Sequence, residues 1–203
     1  MQRNYFQKVY AVDDLLDADW KDRLTKIEIL SRHHHFIPTI TFSLSDAEHK
    51  LTYQQVRLSR KSWTTEALPY LLTCLASDLD ELSVTGFIHG DINFKNVLFD
   101  GSSFRLIDLE PSLRQRKLGR ETLMYTPPYI SLNDYQRQKL SQLTDKIGFY
   151  FLCVRLSGGI DKFSPRKEMK QIHAGHSVFS AYAKIAECAL NELTYKDILT
   201  LKR

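Results

Sequence analysis

The chain has 203 residues, 43% of them hydrophobic and 26% charged, the composition of one globular domain, which excludes wholesale disorder. Its formal charge of +4 permits anionic partners such as nucleotide phosphates, yet it is too small to argue for nucleic acid. The opening MQRNYFQKVYAVDD lacks an apolar signal core, and no run approaches the roughly 18 apolar residues of a membrane span, so the expected compartment is the cytoplasm.

In chain order, Tyr5–Val12 reads as a strand rich in aromatic and β-branched side chains. The stripe Trp20, Leu24, Ile27 and Leu30 predicts a helix over Asp17–Arg32. Two strands are predicted at Phe36–Leu44 and Lys50–Leu58, separated by the polar turn Ser45-Asp46-Ala47-Glu48. The clearest helix is Glu66–Val84, where Leu68, Leu71, Leu72, Leu75, Leu79 and Leu82 recur at helical spacing and Gly86 is placed to end it. A hairpin follows, with arms Asn96–Phe99 and Phe104–Leu109 around Asp100-Gly101, because Asp-Gly is a strong hairpin signal. A basic, proline-punctuated loop runs from Glu110 to about Asp134, and helices return at Leu140–Leu156 and within Val178–Leu193. The order is a small strand-helix-strand-strand unit followed by a mostly helical unit with one hairpin: an α+β chain in two lobes. With no repeat and no linker, it reads as a single domain over 1–203.

The chemistry concentrates in Gly86–Pro111, GFIHGDINFKNVLFDGSSFRLIDLEP. Asp91 stands before the hairpin, Asn96 five residues later, and Asp108 at the end of the second arm. Hairpin geometry can bring such ends together, and hard oxygen ligands of this kind suit Mg²⁺ holding phosphate oxygens.

HGDINFKN resembles the catalytic loop of the protein-kinase-like superfamily, and LIDLE resembles its second metal motif. The resemblance covers residues 5–157 and is strongest over 86–145. It implies a two-lobed kinase-like fold, with an abbreviated N-lobe of about 1–58 and a helical C-lobe of 59–203, using ATP and Mg²⁺. Asp91 would orient the acceptor hydroxyl and take its proton, while Asn96 and Asp108 would bind the metal. His89 would support the catalytic loop by packing. Asp145, in LTDKIGFYF, would hold that loop through hydrogen bonds to backbone; the local alternative is a helix N-cap. Tyr125–Ser131, TPPYIS after its tyrosine, resembles the end of an activation segment that positions a peptide acceptor. Upstream, Lys8 would meet the α/β-phosphates, held by Glu28, and backbone near Gln55, Val56, Arg57 and Leu58 would hold adenine.

The chain also departs from the family pattern. Ser131-Leu132-Asn133 stands where the family has Ala-Pro-Glu, so a buried carboxylate is missing. Only seven residues precede Lys8, with no glycine among them, so the phosphate-covering loop is absent. The chain is then a minimal kinase, a kinase whose N-lobe a partner chain completes, or a scaffold without nucleotide. Gly90 replaces the arginine that reads a loop phosphate, so activity should not depend strictly on phosphorylation at Thr122 or Thr126. The basic run Arg114, Arg116, Lys117 and Arg120 is a solvated loop, a site for an acidic substrate, or a partner for such a phosphate. His33-His34-His35 cannot chelate together, since consecutive side chains point apart. Cys74, Cys153 and Cys188 lack CxxC spacing and read as buried thiols.

Three activities compete: a minimal Ser/Thr protein kinase, favoured by the activation-segment likeness; a kinase of small molecules or lipopolysaccharide sugars; and a non-catalytic pseudokinase. HGD, Asp-Leu-Glu and Lys95 four residues after Asp91 lean toward the second. Abbreviated kinases of this type resemble bacterial or phage proteins, secreted effectors among them.

Overall fold

The computed structural model describes residues 5–11, 18–45, 50–109, 132–137, 140–157 and 190–202. The activation-segment likeness at Tyr125–Ser131, the basic run, Thr122, Thr126, Cys188 and nearly all of the helix expected within Val178–Leu193 lie outside them. The chain divides into two compact units, Met1–Ser62 with Leu98–Leu113, and Trp63–Val97 with Arg114–Arg203. The mixed α and β content matches the expectation, and the hairpin contributes most of its length to the first unit.

The first unit holds strands β1 (Tyr5–Ala11), β2 (Ile40–Ser45) and β3 (Lys50–Val56), antiparallel in the order β1-β3-β2, with helix α1 (Ala18–His33) between β1 and β2 in sequence. Along β3 burial alternates, so Leu51, Tyr53 and Gln55 point inward with the period-two pleat. Lys8 pairs in register with Tyr53, and Tyr53 with Phe42, so these three share that face. Leu24, Ile27 and Leu30 form the buried stripe of α1.

The strand expected over Phe36–Leu44 begins only at Ile40. His34 N–H closes on Leu30 O and Ile37 N–H on His34 O, and Pro38 has no amide hydrogen to offer a ladder. Phe36 and Ile37 are buried, but in a turn. Phe36 O then accepts Leu106 N–H at 2.8 Å, tying this turn to the hairpin.

The hairpin strands β4 (Val97–Phe99) and β5 (Phe104–Leu106) are three residues each. Asp100 closes the turn: its Oδ1 accepts the Ser102 and Ser103 amides, and its Oδ2 accepts Arg105 Nε at 2.6 Å. The second arm, expected to reach Leu109, ends at Leu106.

In the second unit, α2 (Leu68–Val84) buries all six predicted leucines. It starts two residues later than expected, with Pro69 in its first turn, where a missing N–H costs nothing. Gly86 ends it at φ +69°, a left-handed conformation that suits glycine at this position. α3 (Leu132–Arg137) was unforeseen. Its Asp134, next to the altered Ser131-Leu132-Asn133, is buried and accepts the Ser141 N–H and hydroxyl, each at 2.8 Å. Ser141 in turn caps α4 (Gln142–Leu156) by accepting Leu143 N–H, so Asp145 is not the cap. A last helix, α5 (Tyr195–Ile198), opens with a Thr194–Asp197 capping box. Asp80 of α2 accepts the Tyr195 amide at 2.8 Å, and the Tyr195 ring meets Phe149 edge-on. Cys153 is buried, but Cys74 is only half-buried.

Among the described residues, no helix is long and apolar enough to cross a membrane.

Candidate catalytic loop and cation site

The loop His89–Asn96 folds back on Asp91. Asn93 Nδ2 donates to Asp91 Oδ1 at 2.8 Å and to Asp91 O at 3.0 Å. Asn96 Nδ2 donates to Asp91 Oδ2 and O, each at 2.9 Å. Both carboxylate oxygens are thus held by carboxamides, which fixes their direction while leaving lone pairs for another donor. Asn93 also shapes the loop it belongs to: its Oδ1 accepts Lys95 N–H, and its carbonyl accepts the Asn96 and Val97 amides. His89 Nδ1 accepts Asp91 N–H at 3.2 Å, so the ring is buried support.

Helix α4 grips this loop from outside. Asp145, itself buried, accepts the amides of both His89 and Gly90 at 2.7 Å. One turn on, Gly148 lies against Ile92. Near the end of the helix, the Arg155 guanidinium lies 4.5 Å from the centre of the Phe94 ring. At 3.6 residues per turn these three positions fall within roughly a quarter turn of one another. One stripe of α4 therefore meets His89–Gly90, Ile92 and Phe94 in succession. Gly90 suits glycine through its φ of +82°, a conformation that strains residues with a Cβ; the nearest obstacle to a Cβ there is only the Cδ1 end of the Leu140 side chain.

Lys8 and Asp108 meet in the first unit. Lys8 Nζ lies 2.5 Å from Asp108 Oδ1, with the side chains 30% and 47% exposed, over the rings of Phe6 and Tyr53. Asp108 is the one non-glycine residue with positive φ among those described, at +66°. Such a conformation is uncommon outside glycine and concentrates at functional sites.

The partner expected for Lys8 differs from the one found. Glu28 turns to the sheet edge, where its Oε1 accepts Phe42 N–H at 2.6 Å, and its Oε2 lies 3.7 Å from Arg32. The register explains why. Val56 N–H bonds Thr39 O, so the alternate residues Ile40 and Phe42 of β2 aim their amides away from β3. Ser31 Oγ accepts the first at 3.1 Å and Glu28 the second, so two side chains on one face of α1 satisfy the strand edge.

Of the four residues expected near adenine, Gln55 and Val56 end β3. Gln55 is buried and accepts the Tyr53 hydroxyl, and the Val56 amide belongs to Thr39. Arg57 and Leu58 lie past the strand end, outside the ladder.

No family model matches the chain, and no curated protein matches it. The structure is similar to that of the Cydia pomonella granulovirus kinase PK-1, with a TM-score of 0.60 over 84% of this chain and 70% of that one, at 13% identity. The fold is kinase-like. In that kinase-like fold the described geometry brings together Asp91, Asn96, His89 and Asp145 in the second unit, and Lys8 with Asp108 in the first.

Three residues with a part in this arrangement escaped the sequence reading. Asn93 was visible only as a polar residue two after Asp91, where Asx side chains often serve turns. Gly148, inside a helix that glycine weakens, was itself a signal of close backbone approach. Asp134 had no local pattern to mark it.

Proposed function

We propose that the chain is an ATP- and magnesium-dependent phosphotransferase acting on a Ser or Thr hydroxyl of a protein. The observation that carries this reading is the Asp91 carboxylate, oriented by Asn93 and Asn96 on a loop that Asp145 locks to α4. A carboxylate so held suits an acceptor hydroxyl: it accepts the O–H hydrogen bond and takes the proton as that oxygen bonds the γ-phosphorus and ADP leaves.

The oxygen chemistry of each proposed donor suits magnesium. Asn96 uses its amide nitrogen on Asp91 and keeps its carbonyl oxygen, a hard donor, for a cation. Asp108 supplies a half-exposed carboxylate. Among the described residues no three His, Cys, Asp or Glu side chains gather into a metal cage. Magnesium does not need one, since it commonly takes one or two protein oxygens and completes its shell with phosphate and water. When bound, it neutralises charge on the phosphates. Lys8 would contribute a second cation for the α- and β-phosphates, and the backbone of Arg57 and Leu58 would meet adenine. β1 ends the described sheet, and a partner chain completing the small lobe would add its strands there. A cytoplasmic site of action, including that of a secreted bacterial effector, goes with this reading.

A small-molecule or sugar acceptor is the second reading. It is favoured by Asn93, which stands two residues after Asp91 where Ser/Thr protein kinases usually have lysine, and which binds Asp91 directly.

Incubation of the chain with γ-labelled ATP and a mixed lysate tests these together, with Asp91→Ala and Asp108→Ala as controls. Label in protein that both substitutions remove supports the proposal. Label in small molecules or glycolipid supports the second reading, and no label at all supports a pseudokinase.

A further inference from the structure

Beside Asp91 the second unit carries a cluster that phosphate transfer itself does not use. Phe94 directly follows Asn93, whose Nδ2 lies 2.8 Å from the Asp91 carboxylate. Phe94 thus belongs to the same short loop as Asp91, between Asn93 and Asn96, whose Nδ2 groups hold that carboxylate. Trp63 meets its ring edge-on, with centroids 6.5 Å apart, and Arg155 lies over it at 4.5 Å. Trp63 and Phe94 are half-exposed, and Arg155 and Lys95 are exposed.

Arg155 forms no ion pair among the described residues; an aromatic ring holds its charge in place without neutralising it. A guanidinium resting on a ring loses freedom to swing but keeps its N–H donors for a carboxylate or phosphate. Lys95, next to Phe94 on the same loop, adds a second positive charge. A cation used only to pin the loop would not need to remain exposed.

We propose that Phe94, Trp63 and Arg155 form an acceptor subsite selecting Ser or Thr residues flanked by acidic residues; this rests on the phosphotransferase reading above. The rings would support the peptide backbone or an apolar neighbour, and Arg155, with Lys95, would bind the flanking carboxylates.

Two fluorescein-labelled peptides test it, each with a single serine, one flanked by Asp and Glu and the other by Lys and Arg. Binding is read by anisotropy and phosphorylation by transfer of label, for the wild type, Arg155→Gln, Arg155→Glu and Lys95→Glu. The wild type is expected to prefer the acidic peptide by on the order of tenfold in both readouts, as charge complementarity governs partner choice. Arg155→Gln should lower that ratio and Arg155→Glu should invert it. Arg155→Gln, which removes the charge but keeps a polar, unbranched stem, guards against misfolding, and thermal melts check each variant. Equal affinity for the two peptides, or a ratio that Arg155→Glu leaves unmoved in a folded protein, overturns the proposal. Binding that follows Arg155 without any phosphate transfer would sink the phosphotransferase reading and leave the subsite standing. Transfer indifferent to flanking charge would do the reverse.

Discussion

Gly148 lies directly against Ile92: a Cβ at Gly148 would fall 2.5 Å from the Ile92 carbonyl oxygen and 3.2 Å from its Cβ. Two effects compete at this position. Replacing a mid-helix glycine by alanine gains about 1 kcal/mol of helix propensity. Forcing a methyl group into a packed backbone contact costs about 1–3 kcal/mol. The obstacle is main chain, which cannot rotate aside, so the second effect should win. Gly148→Ala is expected to lower stability in urea denaturation and to reduce phosphate transfer at least tenfold. A more stable variant with unchanged transfer would show that α4 does not set the loop.

Asn93 gives a sharper test of the loop, because its bonds go to the carboxylate proposed to take the acceptor proton. Hydrogen bonds to charged groups contribute roughly 1.5–3 kcal/mol, so Asn93→Ala should lower kcat on the order of 10–100-fold. KM for ATP should move little, since the substitution removes only side-chain bonds to Asp91 and the Lys95 amide and keeps the backbone carbonyl that accepts the Asn96 amide. Steady-state kinetics that found the loss in KM instead would reassign it.

Lys8 can be partnered by double-mutant cycles in denaturation. Lys8→Met with Asp108→Asn should show coupling of about 0.2–1 kcal/mol, the range for half-exposed pairs. Lys8→Met with Glu28→Gln should be additive. Glu28→Ala alone should cost about 1–3 kcal/mol, because it leaves the Phe42 amide without its acceptor.

Asp100 supplies a pH signature. Burial alone would raise its carboxyl pKa, but the Ser103 and Ser102 amides, the Arg105 guanidinium and the Ser102 hydroxyl outweigh it and hold the group well below its ordinary value of 3.8. A folded-state pKa below the unfolded one means stabilisation that is present above the ordinary value and lost as pH falls beneath it. The stability difference between the wild type and Asp100→Asn should therefore be constant at neutral pH and shrink below about pH 4. A difference that grew on acidification would contradict the hairpin geometry.

Features with a local cause were legible in sequence. The leucine stripe of α2, its Gly86 stop and the Asp-Gly turn each follow from residues a few positions apart. The spacing of Asp91 and Asn96 likewise carried their contact, because the loop between them is short. What escaped depends on distant partners. Glu28 sat on the helix face expected for Lys8, but the register of β2 against β3 gave it a nearer donor in Phe42. Phe36 and Ile37 have strand-like composition, yet burial in a turn before Pro38 satisfies them equally well. The grip of α4 on the loop spans 55 residues between Gly90 and Asp145, and only the kinase resemblance pointed to it.

The assignment of separate roles to Asp91 and Asp108 is tested most directly by binding and turnover of ATP measured side by side, with and without Mg²⁺. Asp91→Asn should bind Mg-ATP as the wild type does while losing transfer by a factor on the order of 10³ or more, as expected of a group acting in the transition state. Asp108→Asn should lose the magnesium dependence of binding itself. Wild-type protein that neither binds ATP more tightly with Mg²⁺ nor transfers its phosphate, or an Asp91→Asn variant with full activity, would contradict the account.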